Sequence, residues 1–508
     1  MGNPFAAAAQ LRLEREDGGH PSAFAFAGAQ QSRLTADWLT STQSADSAVR
    51  QGMRTLRNRS REMVGNNSHF ARFTGLCEEN IVGADGILTQ ARVGEQAGKL
   101  NREANTELER GWREWSEAEH ASADGMLCRE EIEQLCARTV PQDGEVLVRM
   151  LPGFRNRFGF ALQVLDADQL DETYDDGAGG DGEDSTRMGI TQDRWGRPKV
   201  YHVWSDHPYD YQGGRRRTRR VPVPAEDIVH LYIPGRPGAG RGLPWFTPVL
   251  LDARMLRGYR EAELIAARTA AAKMGFFVQE GDHVAVTPGA KEPARMQADP
   301  GRLERLPPGW RFEAWDPQHP TSAFPQFDKA ILRSVASGIR TYYNTLAGDL
   351  EGVSFSSIRQ GELKERDVWK LLQGWMIRRF HRRVYRRWLT YALTAGAIRL
   401  PSYNPAEWME ARHRGRRWPW VDPLKDILAR RGELEIGVTS LSMICADLGY
   451  DFEDVLIDRA RERALMEEYG VEIRTEGGKL VVVYHDTESD GGSGEEQEGR
   501  ALRLAQGA

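Results

Sequence analysis

The chain of 508 residues has few cysteines, no long apolar run and no surplus of positive charge. Its four cysteines, Cys77, Cys128, Cys136 and Cys445, form no C-x-x-C pair and show no zinc-type spacing. A disulfide framework is therefore excluded, and idle thiols in a reducing compartment are expected. No apolar stretch approaches the roughly 20 residues that a membrane-spanning helix needs. The start, MGNPFA, lacks a basic region followed by an apolar one, and Ala6 stands where a myristoylation signal wants Ser or Thr. These absences point to a soluble cytoplasmic product with no membrane partner. Lys plus Arg number 68 against 74 Asp plus Glu, a net charge of −6, so no global basic field draws the protein to nucleic acid and any DNA contact must be local.

Chemistry-bearing motifs are also missing. There is no H-E-x-x-H and no G-x-S-x-G; the nearest string, GVSFS, has Ser356 in place of the second glycine. The 11 histidines are scattered, and His202 with His207 straddles a strand end and a turn rather than one helical face. The acidic tract DDGAGGDGEDS lacks the alternation and distal Glu of a calcium loop, so a solvated loop is expected. The stretch IPGRPGAGRGLPWF has the Gly235 to Gly240 spacing of a Walker loop, but Arg241 replaces the Lys and Gly242 the Ser/Thr. Pro244 and Pro248 then remove N–H donors where a phosphate-capping helix would need them. No catalytic residue, cofactor or metal is expected, and the chain reads as a non-enzyme.

What is present is a succession of helical and extended patterns. Val49, Met53, Leu56, Met63 and Val64 recur at near-helical spacing up to Gly65-Asn66-Asn67, and Phe70, Phe73, Leu76 and Cys77 begin a second helix. The period becomes strand-like in EVLVRML, GFALQVL and RPKVYHVW. A long helix is expected from Pro244 to Met274, capped by Gly275, a second through FDKAILRSVASGIRTYYNTL, and a third running to about Leu393. Asp422 and Pro423 suit the N-cap and N1 positions of a later helix. The 14 tryptophans favour large contact surfaces and hence oligomerisation.

In MIRRFHRRVYRRWL, Arg378, Arg382 and Arg386 form one i, i+4 ladder and Arg379, Arg383 and Arg387 another, opposite Met376, Phe380, Val384 and Trp388. Such a stripe suits phosphates or acidic partner surfaces, or is a solvated face with Glu362 and Glu365 nearby.

Several long strings together resemble the lambda-type phage portal proteins. They are His230-Leu231 ending a strand, Arg241 to Trp245, and Tyr259 to Ala272, with GITQDRWGRPKVYHVW before them and SVASGIRTYYNTLAGDLEGVSFSSIR and WPWVDPLKD after. NRSREMVGNN and ENIVGADGI match the N-terminal helices, so the likeness runs from about residue 30 to 470 in consistent order. Thr191 and Trp310 replace usual acidic residues and Asp85 is an insertion.

The resemblance implies a helix-rich α+β portal fold assembled as a dodecameric ring with a central tunnel. It implies a flexible arm over 1–29, an α/β wing over 30–243, stem helices over 244–274 and 326–346, and a clip over 275–325. A tunnel loop over 347–357 would face the DNA through Asp349, Leu350, Glu351, Val353 and Ser354, which include two carboxylates and no basic residue. A wing helix and its connection would follow over 358–419, a crown over 420–470, and a disordered acidic tail over 471–508. The implied partners are further copies of the chain, double-stranded viral DNA, the terminase large subunit, a major capsid or scaffolding protein and a head-tail adaptor. The implied location is the portal vertex of the virion. Two rivals are a nucleotide-driven motor subunit, which would need phosphate ligands that are lacking, and a nucleic-acid-binding assembly protein using the 378–387 arginines.

Overall fold

The structure, a computed structural model, describes residues 42–94, 101–177, 184–210, 219–271, 275–279, 310–314, 323–418, 423–448, 450, 452–469, 471–476 and 479–484. The expected arm over 1–29 lies outside these residues, as do most of the 280–322 region and the chain from 485 onward.

Helix α1, Ala45–Asn66, starts where Ser44 accepts from the Ser47 N–H, and buries Val49, Met53 and Met63 as its spacing demands. The side chain of Asn67 then caps α2, Ser68–Cys77, which runs on into a wide turn over Glu78–Val82. After β1 (Leu88–Ala91), α3 (Arg102–Trp115) and α4 (Arg129–Asp143) enter the core. Strands β2 (Glu145–Pro152) and β3 (Phe160–Leu165) form an antiparallel sheet with β8 (Ile228–Tyr232) in the order β3-β2-β8. A second antiparallel sheet, β4 to β7, comprises Ser185–Arg187, Ile190–Gln192, Pro198–Trp204 and Arg220–Pro224. Thr191, the departure noted above, meets both the Thr186 hydroxyl and His202 Nε2 at 2.8 Å.

The expected helix from Pro244 begins later. Helix α5 spans Leu250–Ala271, because residues 244–249 form turns in which Trp245 donates to the Pro141 carbonyl and Thr247 to that of Pro244. Gly275, expected as its cap, instead opens β9 (Gly275–Gln279), which pairs with β10 (Trp310–Ala314). The next helix is also shorter than its pattern suggests. α6 covers Phe324–Gly338, and the chain then breaks at Arg340, whose φ is 60°, before the short α7, Tyr343–Ala347. A Cβ on Gly338 would stand 2.4 Å from Val249 Cγ1, so the chain needs a small residue where the end of α6 meets the turn before α5. The two helices are stapled by Arg260 on Asp328, at 2.5 and 2.8 Å, and by Tyr259 against Phe324 and Phe327.

Helix α8 (Phe355–Met376), a π-helical turn (Ile377–His381) and α9 (Arg382–Thr394) run on end to end. Their apolar side inserts Met376, Phe380, Val384 and Trp388 into the main core, where Trp388 lies edge-on to Trp112 at 5.0 Å. Strand β11 (Ala411–Arg414) closes the body by pairing with β1, more than 300 positions earlier. Helices α10 (Pro423–Glu435), α11 (Leu441–Leu448) and α12 (Phe452–Glu468) follow. Residues 471–476 and 479–484, expected as part of a disordered tail, instead pair as the antiparallel strands β12 (Val471–Glu476) and β13 (Lys479–Tyr484). The β-branched run VEIRTE, two glycines and KLVVVY carry the ordinary signal for such a pairing.

Candidate functional site

The glycine-rich turn is resolved by where its donors point. Arg241 is buried, and its guanidinium grips Glu145, the first residue of β2, with Nε 2.9 Å from both oxygens and Nη2 2.5 Å from one. Its Nη1 donates to the Met188 carbonyl at 3.0 Å. The N–H of Gly242 donates to Glu145 at 3.1 Å and that of Gly240 to Asp46 at 2.8 Å. The groups that would cradle a phosphate are thus already bonded to the protein's own carboxylates. The glycines serve closeness: a Cβ on Gly242 would lie 2.1 Å from the Gly144 carbonyl oxygen, and Gly144 itself has a φ of 88°.

Glu145 collects further partners. Arg57 donates to it at 2.7 Å and His230 Nε2 lies at 3.0 Å. Burial pushes the Glu145 carboxyl up, but Arg241, His230 and Arg57 together hold it well below the usual range. Burial also lowers His230, so it is the neutral ring that donates. Arg57 continues to Asp168 at 2.6 Å, and Arg61, one helical turn on, holds Asp143, Asp166 and Asp168. Asp166, Asp168 and His207 place three ligand-type atoms within 4.8 Å of one another. Because Arg57 and Arg61 already match that negative charge, the group is unsuited to a cation.

A second buried network ties the long helix to the N-terminal part. His381 Nδ1 is 2.5 Å from Glu133, and its Nε2 is 2.6 Å from the Thr89 hydroxyl, which also lies 3.2 Å from His413 Nδ1. Arg129 completes it at 2.8 Å from Glu133. Burial, then the neighbouring His381 and Arg382, lower His413 to about 3, and burial likewise lowers His381. The neutral tautomer with a proton on Nδ1 of His381 satisfies both of its contacts. Neither network was legible in the sequence, because each is centred on contacts between distant residues, His230 with Glu145 across 85 positions and His381 with Thr89 across 292.

Of the expected tunnel-loop residues, Leu350 and Glu351 are exposed, while Asp349 and Val353 are half-buried. Ser354 caps α8 by accepting from the Ser357 N–H. Gly348 and Gly352 take left-handed backbone, with φ of 68° and 69°. The loop holds no basic residue, yet Lys329 of α6 reaches both Asp349, at 3.0 Å, and Glu351, at 3.2 Å. The N–H of Glu351, with Lys329 and the Tyr343 hydroxyl, lowers the Asp349 carboxyl to about 2.

The arginine stripe is divided rather than uniform. The π-helical turn Ile377–His381 contains Arg378 and Arg379 and shifts the phase of the two ladders where it passes into α9. Arg387 is engaged by Asp227 at 2.6 Å, and Arg383 approaches the Ala225 carbonyl at 3.4 Å. Arg379 and Arg383 line a cleft with Tyr201, His230 and Tyr232. Arg378, Arg379, Arg382, Arg383 and Arg386 are all exposed, and Arg387 is half-buried. The carboxylates expected to balance the stripe are occupied elsewhere: Glu365 is buried and accepts from Thr341 and Thr345, and Glu362 meets Arg366. Among the described residues no helix is long and apolar enough to cross a membrane.

The family model described as "Phage portal protein, lambda family" matches residues 31–373, and the chain belongs to that family. It is 31% identical over 485 residues to a probable portal protein of Halomonas phage phiHAP-1, covering 92% of each chain. It is 22% identical to portal protein B of Escherichia phage lambda, over 84% of this chain and 86% of that one, and 21% identical to the portal protein of Escherichia phage N15. Among solved structures it is similar to a chain in the neck of a native gene transfer agent particle computed with C12 symmetry. There the identity is 13%, the TM-score 0.41, and the coverage 80% of this chain and 93% of that one.

Proposed function

We propose that this portal family member forms a ring, dodecameric in the virion, at one capsid vertex. Viral DNA is driven inward through its channel by a separate terminase and later leaves by the same route. In this reading the two sheets and N-terminal helices are the wing, α5 and α6 the stem, β9 and β10 part of the clip, and α10 to α12 the crown. The ring docks the terminase large subunit and, later, a head-tail adaptor, and it nucleates procapsid assembly with capsid or scaffolding protein.

The observation that supports ring formation is one face of α5. Leu251, Met255, Gly258 and Ala262 follow one another at i, i+4, i+7 and i+11, and all are exposed, Leu251 at 72%. The opposite face of the same helix buries Ala253 and Leu256. A helix apolar on both sides needs a second partner, and a neighbouring copy's stem supplies one. Leu251→Glu combined with Met255→Glu is expected to leave the monomer folded and abolish rings in negative-stain images and mass photometry. Intact rings from this variant would remove α5 from the interface.

In this reading the loop over 347–357 faces the tunnel. Two carboxylates beside one lysine give the passing phosphate backbone little to hold, which suits sliding better than gripping.

A further inference from the structure

An apolar pocket of about 530 Å³ opens where the first turn of α1, the glycine-rich turn, the turn before α5, the end of α6 and the second half of α8 meet. Every residue lining it is apolar or glycine except Arg236, Arg241 and Arg340. Arg241 is spent on Glu145, and Arg236 donates to the Gln43 carbonyl at 3.1 Å. Phe73, Ile339, Trp369 and Leu372 in its wall are buried, whereas Leu371 and Ile233 keep 63% and 38% of their surface exposed. A concave site so lined suits a large apolar side chain better than a charged or polar ligand.

The described chain enters at this pocket. Thr42 begins its first segment, and Ala45, three positions on, lines the wall. The contact of Arg236 with Gln43, and that of the Gly240 N–H with Asp46 at 2.8 Å, fix the entry against the glycine-rich turn. Shortly before it in sequence comes LTADWL, residues 34–39, in which Trp38 is the one tryptophan of the first 41 residues. Trp38 stands four positions from Thr42 and so within roughly 13 Å of it, at about 3.3 Å per residue. Phe24 and Phe26, the next large aromatic side chains upstream, would close longer loops at a larger entropic cost. Charge matches as well. The one charged residue of 34–39 is Asp37, beside Trp38, and the exposed charges lining the pocket are Arg236 and Arg340.

We infer that segment 34–39 of the same chain seats Trp38 in this pocket, with Asp37 toward Arg340. An indole suits the place, since its apolar body fills the pocket while its N–H can reach the open rim. Seated there, it ties α1 and the glycine-rich turn to α6, α8 and the turn before α5.

Trypsin digestion of the full-length protein tests this with an internal reference, because the bonds after Arg12 and Arg33 are both Arg-Leu. A seated segment must open before it can be cut, so cleavage after Arg33 should be about tenfold slower than after Arg12. Trp38→Ala and Leu371→Glu should each raise it to the Arg12 rate, and Leu371 is exposed, so its variant should fold as the parent does. In a second measurement, Trp38→p-benzoylphenylalanine is irradiated in mixed light and heavy isotope copies. It should link to the peptide containing Leu371 or the one containing Ile339, within one label. Equal cleavage after Arg12 and Arg33 in the parent, protection that survives Leu371→Glu, or links that fall outside the pocket would each overturn the assignment. Links between light and heavy copies would overturn it too, giving the pocket to a neighbouring copy's segment.

Discussion

Arg241 and Glu145 are both fully removed from solvent and meet through three contacts of 2.5 to 2.9 Å. A buried charge that loses its partner costs about 3–5 kcal/mol. Arg241→Met is therefore expected to lower unfolding free energy by about that amount in urea titrations. Arg241→Lys should recover little, because an ammonium lacks the planar fork that reaches both oxygens and the Met188 carbonyl. A well-folded Arg241→Met protein would show that this pair does not hold the two sheets together.

Gly242→Ala places a methyl 2.1 Å from the Gly144 carbonyl oxygen, a backbone atom that cannot swing away. Gly144→Ala adds left-handed strain to a contact of 2.3 Å with the Leu243 carbonyl carbon. Both variants should be insoluble or melt far below the parent in calorimetry. Gly235→Ala, with open space around it, should melt with the parent.

Acid should destabilise the fold in two stages. His381 and His413 have folded pKa values below their ordinary 6.5, His413 at about 3. The unfolded chain therefore binds more protons below that value, and stability present at neutral pH is lost as pH falls from about 6.5 toward the folded values. Glu133 and Glu145, both depressed below 4.5, add a second loss at lower pH. Denaturation midpoints followed from pH 8 to 4 should be level above 7 and decline below about 6.5. His413→Gln should flatten the upper part of that decline, and an unchanged slope would exclude His413 as its source.

Asp349→Lys with Glu351→Lys would set two new cations beside Lys329, which now pairs with both carboxylates. Rings and procapsids should form normally while DNA packaging slows, recovering in part as salt rises. Packaging at the parent rate across salt concentrations would move this loop away from the DNA.

Arg379→Gln, Arg383→Gln and Arg387→Gln together remove the half of the stripe that faces Asp227, the Ala225 carbonyl and the cleft of Tyr201 and Tyr232. Ring formation or capsid incorporation should suffer more than DNA affinity. Unchanged rings with a clear loss of DNA retention would reverse that assignment.

Much of the local structure is legible in the sequence because helices and strands are decided by side chains two to four positions apart. The spacing of Val49, Met53 and Met63, the Asn67 break, and the strands at EVLVRML and RPKVYHVW all appear as expected. The strings around Arg241 to Trp245 and Tyr259 to Ala272 carry the family, and the Walker comparison fails on residue type alone. Other features follow from the path of the whole chain. Glu145 looks in sequence like the polar start of a strand, yet it is the centre around which Arg57, His230 and Arg241 gather. Lys329 and Asp349 are 20 positions apart, and β1 and β11 more than 300. A buried charge must find an opposite charge wherever the fold brings one, and periodicity says nothing about which. The sequence alone determines that the Arg241 turn cannot serve as a Walker loop; the tertiary structure decides that its guanidinium and glycine N–H groups bind carboxylates within the protein, because only folding brings Glu145 and Asp46 to them.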